Sequence, residues 1–316
     1  MSAALDIDKI LGPLSSADNA FLEAVKVGGP QPCSHGGFAH IKMLAKMLSA
    51  ATAAANSHFT HNGMFGIFST AESTKQENLT IRTRYAYGDS KSRFFHDAMC
   101  ALTKAGRPPR TLCEVGFNAG HTALLFHETA PQAMVYSFDL LRSFPWSARN
   151  KALMRKAYGA RSNAIDGDST ATLPRYHAKH PHVRCDVALI DGAKDARIRL
   201  ADITNFQRMS SPSALLLLDE ICTRDCANGE RSCGKGCWGG TSDAYTMASR
   251  QGMINVTDCA WPRRMHGKDG VCTANYLESY RAEPLPGAPD HAGRRHVATS
   301  RLRQPGGLRL SLATQE

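Results

Sequence analysis

Between residues 89 and 280 short apolar runs alternate with segments of helical spacing, and this rhythm constrains the fold more than any other feature of the chain. The apolar runs fall at Thr111–Val115, Met134–Phe138, Ser162–Ile165, Val187–Ile190 and Ala214–Leu218. Helical spacing predicts helices over Ser90–Ala105, His121–Thr129, Ala148–Tyr158, Thr170–His177 and Lys194–Phe206. A helix over Thr241–Gln251 and two further runs, Ile254–Ala260 and Val271–Leu277, close the series. Strands joined through helices pair in parallel, because each helix is the crossover that returns the chain to the same end of the sheet. The expected fold class is α/β, a doubly wound, mostly parallel seven-stranded sheet.

Residues 1–88 read as a helical and irregular N-terminal cap. Phe38 to Ala55 has helical spacing, with Ile41, Leu44, Ala45 and Leu48 on one stripe. The segment from His58 to Thr74 is rich in Gly, Asn and Thr yet carries Met64, Phe65, Ile67 and Phe68. It reads as a loop over a pocket, with His58 and His61 as candidate wall residues, or as ordinary packing on the sheet. Residues 281–316, rich in Pro and Gly and poor in apolar side chains, read as a disordered tail.

Apolar residues make up 42% of the chain, enough for a sizeable core. No run approaches the roughly 18 apolar residues of a spanning helix, and the N-terminus lacks the pattern of a secretory signal. The expectation is a cytoplasmic protein without membrane contact. The net charge of +10 is spread along the chain, which argues against a nucleic-acid stripe. Ten cysteines in a reducing compartment are expected to be mostly free or metal-bound.

The first strand runs into a glycine turn, Glu114-Val-Gly116-Phe117-Asn118-Ala-Gly120, and then into a helix. Glycines let a backbone approach a ligand closely, although a tight strand–helix turn is the plainer reading of the same residues. Asp139, at the tip of the next strand and 19 residues past Gly120, is placed to bind a ribose diol. The turn lacks the third glycine of a dinucleotide site, so a nucleoside without phosphate fits it better.

With these residues the chain resembles the class I S-adenosylmethionine-dependent methyltransferases, whose first motif has the form acid-x-Gly-x-x-x-Gly. The resemblance covers residues 89–280 and implies a Rossmann-like sheet. It also implies that Glu114, Gly116, Phe117, Asn118 and Gly120 border the amino-acid part of the cofactor and that Asp139 holds its ribose. Asp168 and Ser169, after the third strand, resemble the adenine-side loop of that family, and Asp191 borders the same site.

Asp191 ends the fourth strand, and Asp219 and Glu220 end the fifth. Neighbouring carboxyl ends share one crevice in an open parallel sheet, so three carboxylates meet there and repel unless a cation sits among them or some protonate. Hard oxygen ligands suit magnesium, or manganese or calcium, rather than a soft metal. This set resembles the metal-dependent catechol and caffeoyl-coenzyme A O-methyltransferases, with Asp191, Asp219 and Glu220 as metal ligands and Lys194 as the base. Asp191 and Lys194 are thus the candidate catalytic pair. Glu220 stands where that family has Asn. Lys194 as a solvated lysine, and Asp219 and Glu220 as turn caps, are the plainer alternatives.

Cys222, Cys226, Cys233 and Cys237 follow at spacings that admit a zinc site, a pair of disulfides or free thiols. Phe144 and Trp146 could stack on adenine or simply pack. Arg142, Arg149, Lys151, Arg155 and Lys156 read as a solvated helix face. The functional expectation is O-methylation of a small hydroxylated molecule, catechol-like or a vicinal diol, assisted by magnesium. Two alternatives stay open: a metal-independent O- or N-methyltransferase of a sugar or secondary metabolite using Asp219 or Glu220, and a nucleic-acid binding protein using the cysteine loop. A homodimer is left open as well.

Overall fold

The computed structural model describes residues 7–55, 90–142, 144–222, 239–260 and 269–278. Three helices lead in: α1 (Ile7–Leu11), α2 (Ser16–Val27) and α3 (His35–Ala55). The α/β rhythm then begins with α4 (Ser90–Lys104), β1 (Thr111–Val115), α5 (His121–Thr129), β2 (Met134–Asp139), α6 (Ser147–Tyr158) and β3 (Ser162–Asp166). It continues with α7 (Ser169–Lys179), β4 (Cys185–Ile190), α8 (Ala196–Met209), β5 (Ser210–Cys222), α9 (Gly239–Arg250), β6 (Ile254–Ala260) and β7 (Asp269–Tyr276). Every predicted strand and helix in this stretch is present.

The seven strands form one sheet in the order β3-β2-β1-β4-β5-β7-β6. Pairing is parallel from β3 through β5, and β7 runs antiparallel between β5 and β6. The sheet is therefore mixed but mostly parallel, as the rhythm requires. Its central strands are buried along their length, which is why β4 and β5 read as continuous apolar runs rather than alternating ones.

The stripe Ile41, Leu44, Ala45 and Leu48 is buried, and it joins one core with Phe94 and Phe95 of α4, Leu124 and Leu125 of α5, and Leu153 of α6. The lead-in helices are thus packed into the α/β core. Ser15 and Asp18 form a capping box at the start of α2. Asp18 is fully buried and also pairs with Arg149 of α6 at 2.5 Å. Lys156 pairs with Asp8 of α1, and Arg155 donates to the Ser162 carbonyl. The basic set on α6 is therefore not a simple solvated face, because the lead-in helices bring acids to it.

The cysteines also depart from expectation. Disulfides join Cys33 to Cys100, Cys113 to Cys185 and Cys259 to Cys272. The first two pairs lie 67 and 72 residues apart in sequence and become neighbours only through the fold, Cys113 and Cys185 on adjacent strands. Cys259 and Cys272 face each other in the β6–β7 register. Three disulfides run against the assumption of a reducing compartment. Among the described residues, no helix is long and apolar enough to cross a membrane. The His58–Thr74 segment, the cysteine loop beyond Cys222 and the 281–316 tail lie outside the described residues.

Candidate active site

Strand register brings the predicted acids to one rim. Val115 of β1 lies beside Ile190 of β4, and Ile190 beside Leu218 of β5, so Gly116, Asp191 and Asp219 follow one another along the carboxyl ends. On the other side Asp139 of β2 is level with Asp166 of β3.

The glycine turn is a tight strand–helix turn, the plainer of the two sequence readings. Gly116 has φ 104°, and a Cβ there would run into the Asp191 carbonyl. A Cβ on Gly120 would meet the Phe117 ring at 2.8 Å. The space these glycines leave is used by the protein's own backbone and by Phe117, which is a core residue. Asn118 takes a left-handed conformation, φ 49°, and its N–H donates to Asp139 Oδ2 at 2.6 Å. Trp146 Nε1 donates to Asn118 Oδ1, Ser147 Oγ to the Asn118 carbonyl, and Asn150 Nδ2 to the Ala119 carbonyl. Helix α6 therefore clamps the turn. Phe144 and Trp146 stack on each other, centroids 5.1 Å apart.

Glu114 lies beneath the rim, fully buried, and accepts from Ser137 Oγ at 2.6 Å. Its Oε2 has no hydrogen-bond partner among the described residues. Burial, reinforced by Asp139 and Asp191, pushes this carboxyl up to about 8, so it is neutral at pH 7. Asp168 caps α7, its Oδ1 accepting from the Thr170 N–H and hydroxyl, and Ser169 is buried in the first turn. Asp139 holds the turn through its carboxylate at the end of β2, and Glu114 offers a buried carboxyl with an unused oxygen; acceptors of this kind are of the chemistry that the polar groups of the expected cofactor call for.

The acids of β4 and β5 do not stand alone. Lys91, at the start of α4, places Nζ 2.6 Å from Asp219 Oδ1, and both side chains are only 3% exposed. Lys194 lies 2.5 Å from Glu220 Oε2 and 3.2 Å from Asp191 Oδ1. Arg199 of α8, wholly buried, contacts Glu220 Oε2 at 3.3 Å. Its guanidinium also donates to the carbonyls of Ile190, Gly192, Ala193 and Asp219, and to Tyr245 Oη. Arg199 and Tyr245 thus pin the ends of β4 and β5 together. Each carboxylate already has a cation from the chain, so the set does not fit a divalent metal, which needs oxygens free of donors. Among the described residues no three Asp, Glu, His or Cys side chains converge as ligands.

The same pairing changes the role of Lys194. Burial favours its neutral amine, but Asp191 and Glu220 outweigh that and raise its pKa above the ordinary lysine value. It stays protonated, which is the opposite of what a base requires. Glu220 has the matching property. A bulge in β5 between Asp219 and Ile221 lifts it out of the ladder at φ 61°, a rare conformation for a non-glycine residue. Burial, then Asp191 and Asp219, push its carboxyl up to about 7.

Lys91, Arg199 and Tyr245 escaped the sequence reading. A signal was present for two of them: Lys91 shares a helical stripe with Phe94 and Phe95, and Arg199 with Ile203 and Phe206. A cation on a buried stripe asks for an acid opposite it.

Residues 113–221 match the model of a methyltransferase domain family. Over these residues the chain is similar to methyltransferase domains. The matched stretch runs from β1 through β5, and with it the glycine turn and all the acids of the rim. No curated protein matches the sequence. Among solved structures, cofactor-bound Rv0187 from MTB is similar at 16% identity and TM-score 0.49, over 73% of this chain and 89% of that one. The O-methyltransferase TomG from Streptomyces achromogenes, solved with S-adenosylmethionine, is similar at 17% identity and TM-score 0.45, over 61% and 81%. An O-methyltransferase from Bacillus cereus, in complex with SAH, is similar at 13% identity and TM-score 0.48, over 86% and 95%.

Proposed function

We propose that the chain is an S-adenosylmethionine-dependent O-methyltransferase of a small hydroxylated molecule, with Glu220 as the proton acceptor. The observation that carries this reading is the placement of Glu220 beside Asp191 at the rim of a methyltransferase domain, lifted by a bulge and poised near neutral pH. Of the two routes open from the sequence, magnesium-assisted and metal-independent, the paired cations favour the second.

When bound, S-adenosylmethionine supplies a methyl group already activated by its positive sulfur. Asp139 accepts hydrogen bonds from the ribose diol, and the Asn118 N–H keeps that carboxylate in place. Glu220 would take the acceptor's hydroxyl proton as the oxygen–methyl bond forms and the sulfur–methyl bond breaks, the donor leaving as a neutral thioether; that role is best served by a pKa near the working pH. Lys194, held protonated beside it, steadies the carboxylate and contributes positive charge where the acceptor oxygen becomes anionic. Positioning of the two reactants supplies most of the remaining rate.

Calorimetry tests the first half. The wild type should bind S-adenosylmethionine, and Asp139→Ala should weaken binding about 10- to 100-fold, the loss of one or two charge-assisted hydrogen bonds. Equal affinity in the two proteins would overturn the ribose assignment. A panel of catechols, other hydroxylated aromatics, sugars and their amine counterparts then identifies the acceptor class, and turnover confined to the amines would overturn O-methylation.

A further inference from the structure

Lys91 meets Asp219's carboxylate at 2.6 Å, and it is as deeply buried as the acid it meets. It enters from α4, an element that contributes no other side chain to the rim described above. Asp219 Oδ1 accepts the Glu220 N–H at 2.7 Å as well. One carboxylate oxygen therefore joins the ammonium of α4 to the bulge that displaces Glu220. The Asp219 carbonyl is held from the other side by Arg199 and Tyr245. The Glu220 carbonyl accepts from Thr241 Oγ1 of α9.

We infer that Lys91 is a built-in replacement for a divalent ion: its ammonium occupies the cation's place at Asp219 and fixes the β5 bulge, so the rim takes up no metal. An ammonium and a hard metal ion both satisfy a buried carboxylate, but they exclude each other from the same oxygen. Three carboxylates and three chain cations leave the cluster without the excess negative charge that draws a divalent ion. Lys91 acts through Asp219 and is a positioning residue.

The test follows manganese by electron paramagnetic resonance on the full chain. The wild type should leave Mn2+ free at concentrations up to about tenfold over protein. Lys91→Ala, which removes the ammonium and leaves room, should bind Mn2+ at least tenfold more tightly, and Asp219→Asn in that background should abolish the gain. Wild-type uptake of one Mn2+ that is lost in Asp219→Asn overturns the inference. So does a folded Lys91→Ala protein that binds no more Mn2+ than the wild type. If Lys91→Ala does not fold, the wild-type titration decides together with melting of Lys91→Arg, which keeps a cation, and Lys91→Met, which does not. Lys91→Arg should melt well above Lys91→Met, and equal melting overturns the inference. Mn2+ binding and melting are read without S-adenosylmethionine, so failure of the methyl-transfer reading is seen separately, in the calorimetry.

Discussion

Gly116 packs against the backbone of Asp191: the hydrogen it carries in place of a Cβ faces the Asp191 carbonyl, and the Asp191 N–H donates to the carbonyl of Val115 at 3.0 Å. This contact sets the spacing between the glycine turn and the rim of acids. Gly116→Ala would drive a methyl group into backbone that cannot step aside, at a φ that L-residues avoid. Such a change should cost about 3 kcal/mol or more, lowering the melting temperature by roughly 10 °C. Calorimetric melting checks it, and an unchanged transition would mean that the two strand ends are not in contact.

Glu220→Gln keeps the size of the side chain and removes its ability to take a proton. Turnover should fall about 10²- to 10⁴-fold, while the dissociation constant for S-adenosylmethionine stays near the wild-type value. In the wild type activity should rise with pH through about 7, because the base works only when deprotonated. Steady-state kinetics across pH 5.5 to 8.5 would show this limb, and its survival in Glu220→Gln would assign the proton to another group.

Glu114 gives stability a pH dependence of a defined sign. Its carboxyl titrates near 8 in the fold and near 4.5 in the unfolded chain, so the folded state holds the extra proton between those values. Stability from this group is complete below about 4.5 and is lost as pH rises through 8. Glu114→Gln, which retains an acceptor for Ser137 Oγ, should melt with a flatter pH profile than the wild type between pH 5 and 8. Parallel profiles for the two proteins would remove the assignment.

Peptide mapping without reductant should recover Cys113 linked to Cys185 and Cys259 linked to Cys272. Reduction should lower the melting temperature, since cross-links closing loops of 72 and 13 residues restrict the unfolded chain by about 4 and about 3 kcal/mol. Free thiols at these four positions in the native protein would return the chain to the reducing-compartment expectation.

Most of the fold was legible because each strand and helix of the α/β region carries its own period and its own ending, as in the Gly106 stop after α4. The rim was legible in part, because a parallel sheet places strand ends together by topology alone: Asp139 ends β2, Asp191 follows β4, and Asp219 and Glu220 lie near the carboxyl end of β5, which runs on to Cys222. What could not be read were contacts made across the fold. Lys91 precedes Asp219 by more than a hundred residues, and Arg199 lies in a helix whose charged face and buried face look alike until the sheet is present. The disulfides escaped for the same reason, since no spacing says that Cys113 will lie beside Cys185.

The buried pair between Asp18 and Arg149 means that the opening stretch of polypeptide is an integral part of the packed fold rather than an appendage. A shortened protein beginning at residue 89 would strand a guanidinium on α6 and strip the cover from Leu124 and Leu125. Anyone wishing to express the catalytic half alone should expect aggregates, and a fusion partner is better placed elsewhere than between α3 and the sheet.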